Sequence, residues 1–256
     1  MRSAAPPAPE LLAAYDEQVR RRPLSDGPDD VVEHADGVVR IVSATGRSGV
    51  VYADLQGRDA DAVIAAQITR LPGRWEWEHH SHDRPPDLAE RLLAAGFQPE
   101  EPETLMVADL AVVALDAPAP PGIELRTVGV DGVADLVAVH DAVFGGSHAD
   151  LGAAVIAGLS RGTVVPVVAY DVEEPVAAAR LELYEGTRFA GLYGDSTLPS
   201  HRRRGIFHAL VALRAAIARE RGVRYLQADA MDTSRPLFAR LGFAELATTT
   251  PFIWAG

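Results

Sequence analysis

The chain of 256 residues is 48% hydrophobic and 23% charged, a balance that supports a sizeable core and excludes wholesale disorder. Its 24 Lys+Arg stand against 36 Asp+Glu, a formal net charge of -12, so a chain-wide basic footprint for nucleic acid or an anionic membrane surface is excluded and any anion site has to be local. There is no cysteine, which removes disulfides, thiolate metal sites and thiol nucleophiles.

The start, Met1-Arg-Ser-Ala-Ala-Pro-Pro-Ala-Pro-Glu10, has no apolar run of signal-peptide length, and nothing later approaches a membrane span, which reads as a cytoplasmic protein. Periodicity then predicts a helix over 10–22, short strands over 38–42 and 49–52, and a helix over 59–70 with Val63, Ile64 and Ile68 on one side. A strand over 75–79, a helix over 87–95 and a strand over 104–110 follow. The Pro/Ala stretch 117–122 cannot join a ladder or a helix, so it is the expected linker between a domain of residues 1–116 and one of 123–256.

The second stretch opens with a strand over 123–128, two helices over 133–144 and 149–159, a hairpin of strands over 164–170 and 176–184, and a strand over 189–197. A helix over 205–221 places Ile206, Leu210, Leu213 and Ile217 on one continuous face. A strand over 225–228, a short helix over 234–241 and strands over 244–246 and 250–254 complete a mixed α/β order. The two halves end alike. Arg70-Leu-Pro-Gly73-Arg-Trp-Glu-Trp77, the helix ending Gly96-Phe97 and Thr104-Leu-Met-Val107 correspond to Arg219-Glu-Arg-Gly222-Val-Arg-Tyr-Leu226, the helix ending Gly242-Phe243 and Thr250-Pro-Phe-Ile253, a degenerate internal repeat.

The segment with chemistry is Ser196-Thr-Leu-Pro-Ser-His-Arg202-Arg-Arg-Gly205-Ile-Phe207. It joins a strand end, a proline turn, three arginines and a glycine to the start of a long helix. A helix start exposes unpaired N–H groups and the positive end of the macrodipole, glycine permits close approach of a bulky anion, and arginine pairs with phosphate. The bland reading is a solvated basic turn. Strand, Arg202-x-x-Gly205-x-Phe207, amphipathic helix, strand and a short helix ending Leu241-Gly242-Phe243 resemble the GNAT superfamily of N-acetyltransferases, whose acyl-CoA loop reads Arg/Gln-x-x-Gly-x-Gly/Ala.

That resemblance covers roughly 123–254 and implies a GNAT fold there, with acetyl-CoA as cosubstrate. It implies that Arg202 and the backbone of Arg203, Arg204, Gly205, Ile206 and Phe207 hold the pyrophosphate, that Ser196, Thr197 and Leu198 line the pantetheine, and that Ser234 adds a cofactor contact. The first half is expected to be GNAT-like without a cofactor site, because the carboxylates of Gly57-Arg-Asp-Ala-Asp61 would repel phosphate. Phe207 stands where the family has Gly or Ala. Phe238 takes the place of a tyrosine acid and Gly191 that of a glutamate base.

If the strand over 189–197 is regular, Tyr193 and Asp195 share a face near the acyl end. Asp195 is then the candidate general base, against a satisfied polar residue at a strand end. Tyr193 is an acid or a ring lining the substrate, against a half-buried aromatic. Glu182, His140 and Asp141 are further residues near the expected cleft. His79, His80 and His82 lack the partners a metal site needs, so no metal is expected, and Trp75 and Trp77 read as core. The activity implied is transfer of acetyl from acetyl-CoA to a primary amine of a small molecule or peptide; the alternative is a non-catalytic acyl-CoA-binding or regulatory module.

Overall fold

The computed structural model describes residues 8–24, 30–43 and 48–256; most of the proline-rich start lies outside them. Helix α1 (Ala8–Tyr15) continues through a π-turn at Asp16–Arg20, followed by β1 (Val31–Ala35), β2 (Val38–Val42), β3 (Gly49–Ala53), α2 (Ala60–Arg70), β4 (Trp75–His80), α3 (Leu88–Ala94), β5 (Gln98–Pro99) and β6 (Glu103–Asp109). Then come β7 (Ile123–Thr127), α4 (Val133–Phe144), α5 (Ala149–Arg161), β8 (Val164–Asp171), β9 (Glu174–Leu183), β10 (Phe189–Thr197), α6 (Ile206–Glu220), β11 (Tyr225–Ala230), α7 (Arg235–Arg240) and β12 (Ala244–Trp254). The half-exposed β1 has no clean apolar alternation, and the sequence reading passes over it.

The described residues fold as two compact units. One, here the C-terminal unit, holds 107–228 and 241–243; the other, the N-terminal unit, holds the rest of 8–106 with 229–240 and 244–256. The division therefore does not fall at 117–122. The expected strands over 244–246 and 250–254 are one strand, β12, and it joins the N-terminal unit by pairing antiparallel with β4, from Thr249 opposite His80 to Trp254 opposite Trp75. The end of β6 goes the other way, into the C-terminal unit, where Leu110 N–H donates to Arg224 O at 2.8 Å and Arg224 is ion-paired with Asp109 at 2.9 Å. These are the strands matched as repeat ends in the sequence. A strand's alternation shows that it has a buried face but not which edge it pairs with.

In the N-terminal unit the strands run β1-β2-β3-β4-β12. Trp75, Trp77, Ile64, Leu88, Leu92, Phe97 and Phe252 are among its core, and Trp75 and Trp77 both meet Phe97 edge-on, at 5.1 and 6.3 Å between ring centroids. In the C-terminal unit the order is β7-β8-β9-β10-β11. Side chains alternate along β8 and β9 as a two-residue period requires: Val167, Ala169, Ala177 and Ala179 pack with Ile206 and Leu210 of α6, while Val168, Tyr170 and Ala178 pack with Leu136 and Val139 of α4. Helix α6 thus covers one face, and α4 covers the other with Leu151 of α5 beside it.

Candidate functional site

Helix α6 begins without a side-chain cap. Its N-cap is Gly205 at φ 88°, and Arg203 also lies in the left-handed region at φ 64°, so the chain curls before the helix and turns the first amides outward. A Cβ at Gly205 would meet nothing nearer than Pro120 at 3.8 Å, which leaves the approach open. The curl is anchored from behind. Asp171, at the end of β8, takes His201 Nε2 at 3.1 Å and Arg204 Nη1 at 3.2 Å; the hydrogen bonds from His201 and Arg204 hold its carboxyl below the usual range. Arg202 Nε donates to Thr197 O at 3.1 Å. Arg203 makes no ion pair among the described residues.

Beside this loop β10 leaves its neighbour. It pairs in parallel with β11 at Phe189, Ala190 and Gly191, opposite Tyr225, Leu226 and Gln227, whereas its pairing with β9 continues to Thr197 opposite Ala177. Ser196 Oγ donates to Ala178 O at 3.2 Å and Leu198 N–H to Val176 O at 2.9 Å, so the segment 196–198 is held through β9, away from β11.

The strand is not regular. Its β9 register jumps between Tyr193, opposite Arg180, and Ser196, opposite Ala178, and Gly194 sits in the bulge at φ 67°. A bulge adds a residue and reverses the parity beyond it. Tyr193 and Asp195 therefore do not share a face, which corrects the sequence expectation. Asp195 turns to the α6 side and is gripped by both terminal nitrogens of Arg214, Nη1 to Oδ2 at 3.2 Å and Nη2 to Oδ1. Arg214 is fully buried and also donates to Leu210 O and Arg180 O, each at 3.1 Å. A carboxylate with both oxygens on one buried guanidinium is a structural anchor rather than a poised base. Arg214 went unremarked in the sequence, although an arginine one turn beyond Leu210 on an apolar helix face signals a buried partner.

Tyr193 stays on the α4 side. Its hydroxyl lies 2.7 Å from the Tyr184 hydroxyl, and Gln227 Nε2 donates to both oxygens, at 2.6 and 3.0 Å. Gly191 makes room for this cluster, since a Cβ there would stand 2.9 Å from Gln227 Nε2 and 3.0 Å from Tyr184 Oη. At the place of the missing glutamate stand the hydroxyls of Tyr193, two residues along the same strand, and of Tyr184, just after β9. Arg180 lies over the Tyr193 ring, 5.2 Å from its centroid, and donates to Glu182 at 2.6 Å. Glu182 does face this side.

Two elements frame the same side from above. In α4, His140 is buried, and its Nδ1 lies 3.0 Å from Leu136 O. The Gly145-Gly146 turn then leads to His148, whose backbone N–H and Nδ1 both meet Asp141 Oδ1 at 2.8 Å. His140, Phe144 and His148 form an aromatic lip with centroids 5.6 to 6.0 Å apart.

Residues 140–243 match the Acetyltransferase (GNAT) family. The chain carries a GNAT domain. Its fold is similar to that of a GCN5-related N-acetyltransferase from Kribbella flavida, with TM-score 0.70 and 17% identity over 97% of this chain and 96% of that one. A tandem GNAT protein from the clavulanic acid biosynthesis pathway is similar at TM-score 0.59 and 15% identity, over 99% of this chain and 90% of that one. A GCN5-related N-acetyltransferase from Sphaerobacter thermophilus matches at TM-score 0.59 and 18% identity, over 97% and 91%. At such identities the likeness is one of fold, a mixed α/β GNAT architecture extending across nearly the whole chain. No curated protein matches it.

The GNAT domain has a counterpart in the N-terminal unit. There β3 and β4 pair in parallel only at Gly49 and Val50, opposite Glu76 and Trp77, and α2 follows the turn at Gly57. That helix is capped: the Asp59 side chain accepts from Ala62 N–H at 3.1 Å. Arg91, beside this turn, is ion-paired to Asp61 and Asp87. Ser234 and Phe238 also lie in this unit; Ser234 Oγ donates to Met231 O at 3.2 Å and Phe238 is buried. His80 Nε2 meets Glu78 and His82 Nε2 meets Asp16, at 2.8 and 2.9 Å. No helix among the described residues is long and apolar enough to cross a membrane.

Proposed function

We propose that the protein is an acetyltransferase which takes acetyl-CoA as cosubstrate and passes the acetyl group to a primary amine of a small molecule or peptide, in the cytoplasm. The observation that carries this reading is the uncapped start of α6 at Gly205 beside the place where β10 leaves β11. Amides of 203–207 and the Arg203 guanidinium hold the pyrophosphate, with Arg202 and Arg204 adding charge around the loop. The edge of β10 through Ser196, Thr197 and Leu198 takes the pantetheine. Backbone N–H groups released at the Gly194 bulge polarise the thioester carbonyl. Tyr193, within its hydroxyl cluster, is the proton source for the departing thiolate. The cofactor work belongs to the C-terminal unit; the carboxylate cap on α2 favours a half without a cofactor site.

A second reading, a non-catalytic acyl-CoA-binding module, is favoured by one finding: Asp195 is occupied by Arg214 while Gly191 and Phe238 stand at the usual base and acid places. Calorimetry with acetyl-CoA, followed by a thiol-release screen over amines, amino acids, aminoglycosides and peptides, separates the two. Wild type is expected to bind and to release thiol with some acceptor, and Gly205→Asp to weaken binding at least ~100-fold by placing a like charge among the phosphate-binding amides. Binding without turnover on any acceptor selects the second reading. A Gly205→Asp variant that binds as wild type does overturns both.

A further inference from the structure

We propose that His140 is the general base of the reaction, its Nε2 taking the proton from the attacking amine beside the Gly194 bulge; this rests on the acetyltransferase reading above. His140 Nε2 is buried and has no hydrogen-bond partner among the described residues. Buried polar atoms are nearly always satisfied, so an orphaned one calls for a physical account. The other ring nitrogen is fixed. Leu136 O, a carbonyl, can only accept, so Nδ1 carries the hydrogen and Nε2 presents a lone pair.

That lone pair is aimed at the bulge: a Cβ at Gly194 would stand 2.9 Å from His140 Nε2 and 2.8 Å from Arg180 Nη1. Gly194, having no side chain, thus lets the imidazole nitrogen come directly against the backbone of β10 at the bulge. The groups facing the ring are Arg180 from β9, itself paired to Glu182, and the His148–Asp141 pair from the α4–α5 connection; Asp195 of β10 is turned to Arg214 on the opposite face. Burial first, and the Arg180 guanidinium with it, lower the His140 pKa below the ordinary imidazole value. At neutral pH the ring is therefore uncharged, the state that accepts a proton.

In the step, the amine nitrogen bonds to the acetyl carbon and its proton passes to His140 Nε2 as the C–S bond breaks. The thiolate leaves with the bond pair and is protonated by the Tyr193 hydroxyl; His140 then releases its proton to solvent and the tyrosinate takes one back from solvent, so both groups end as they began. Atoms and charge balance, with no further reactant.

The test uses the full chain, with acetyl-CoA and hydroxylamine as the nucleophile. Histidine NMR of the wild type with acetyl-CoA bound is expected to show Nδ1 protonated and Nε2 bare, titrating below the usual imidazole range. Enzyme-catalysed thiol release is expected to rise with pH along that same titration. His140→Gln is expected to lower the rate ~100-fold or more and to abolish the pH-dependent limb, with acetyl-CoA affinity within twofold of wild type. A variant that keeps both rate and limb, a proton on Nε2 at neutral pH, or acetyl-CoA binding by wild type without any thiol release would overturn the proposal. Absence of acetyl-CoA binding by wild type would instead sink the acetyltransferase reading. The NMR arm needs no variant, so a misfolded His140→Gln leaves it decisive.

Discussion

Gly194 decides the work of its neighbours on both sides. By entering the left-handed region it inserts the bulge that turns Asp195 toward Arg214, and by lacking a Cβ it leaves the space His140 and Arg180 close in upon. Two roles for Asp195 make opposite predictions. If it were a base, Asp195→Asn would slow turnover and leave stability unchanged. The ion pair predicts instead that the substitution strips the fully buried Arg214 of its counter-charge and costs roughly 3–5 kcal/mol, measured by urea unfolding, with acetyl-CoA affinity falling only as the fold loosens. Unchanged stability with a large loss of rate would return the base to Asp195. The period-two argument from the sequence was sound for a regular strand, but a single inserted residue is enough to invert it.

At the scale of elements, the exchange of terminal strands is what makes each unit whole. β12 brings Phe252 into the N-terminal core and lines β4 along its length. Removing residues 244–256 therefore leaves β4 with one edge unpaired and a core without the Phe252 ring. The deletion is expected to abolish cooperative unfolding of the N-terminal unit and to shift Trp75 and Trp77 emission to the red, seen by fluorescence and dye binding. By the same logic a fragment of 123–256, the expected domain, is predicted to be insoluble or molten, because it lacks the end of β6 beside Arg224 and carries β12 without β4. A well-folded fragment, with sharp dispersed NMR signals, would restore the boundary at 117–122. Local pattern located both strands; their partners are set by contacts far apart in sequence.

Across the whole molecule, the formal charge of -12 overstates the charge near neutrality. Glu78, Glu103 and Asp229 of the N-terminal unit are each pushed up to about 7, chiefly by burial, with neighbouring carboxylates adding to it: Asp83 at Glu78, Asp229 at Glu103 and Glu78 at Asp229. For a carboxyl whose folded pKa is raised, the folded state holds more protons than the unfolded one between the two values. Its contribution to stability is thus fully present below the unfolded pKa and is lost as pH rises through about 7. Asp229→Asn, which keeps a partner for the Thr249 hydroxyl, is expected to raise the melting temperature by ~5 °C at pH 8 and by little at pH 5. An equal effect at both pH values would show that Asp229 is ionised throughout.

The loop over 202–207 was legible in the sequence because everything that builds it is local. A proline turn, arginines, a glycine and an apolar helix face lie within one short segment, and helix starts and left-handed residues depend on neighbours a few positions away. The repeat was legible for the same reason, as recurring turn and helix-end signals. Tertiary structure alone decided which edge β6 and β12 complete, on which face Asp195 emerges, and that Tyr184 and Gln227 fill the place left by Gly191. It alone brought an unpartnered imidazole nitrogen from α4 against a glycine of β10. Those facts depend on register and on side chains meeting across elements distant in the chain, and a polar residue's partner is not encoded in its own neighbourhood.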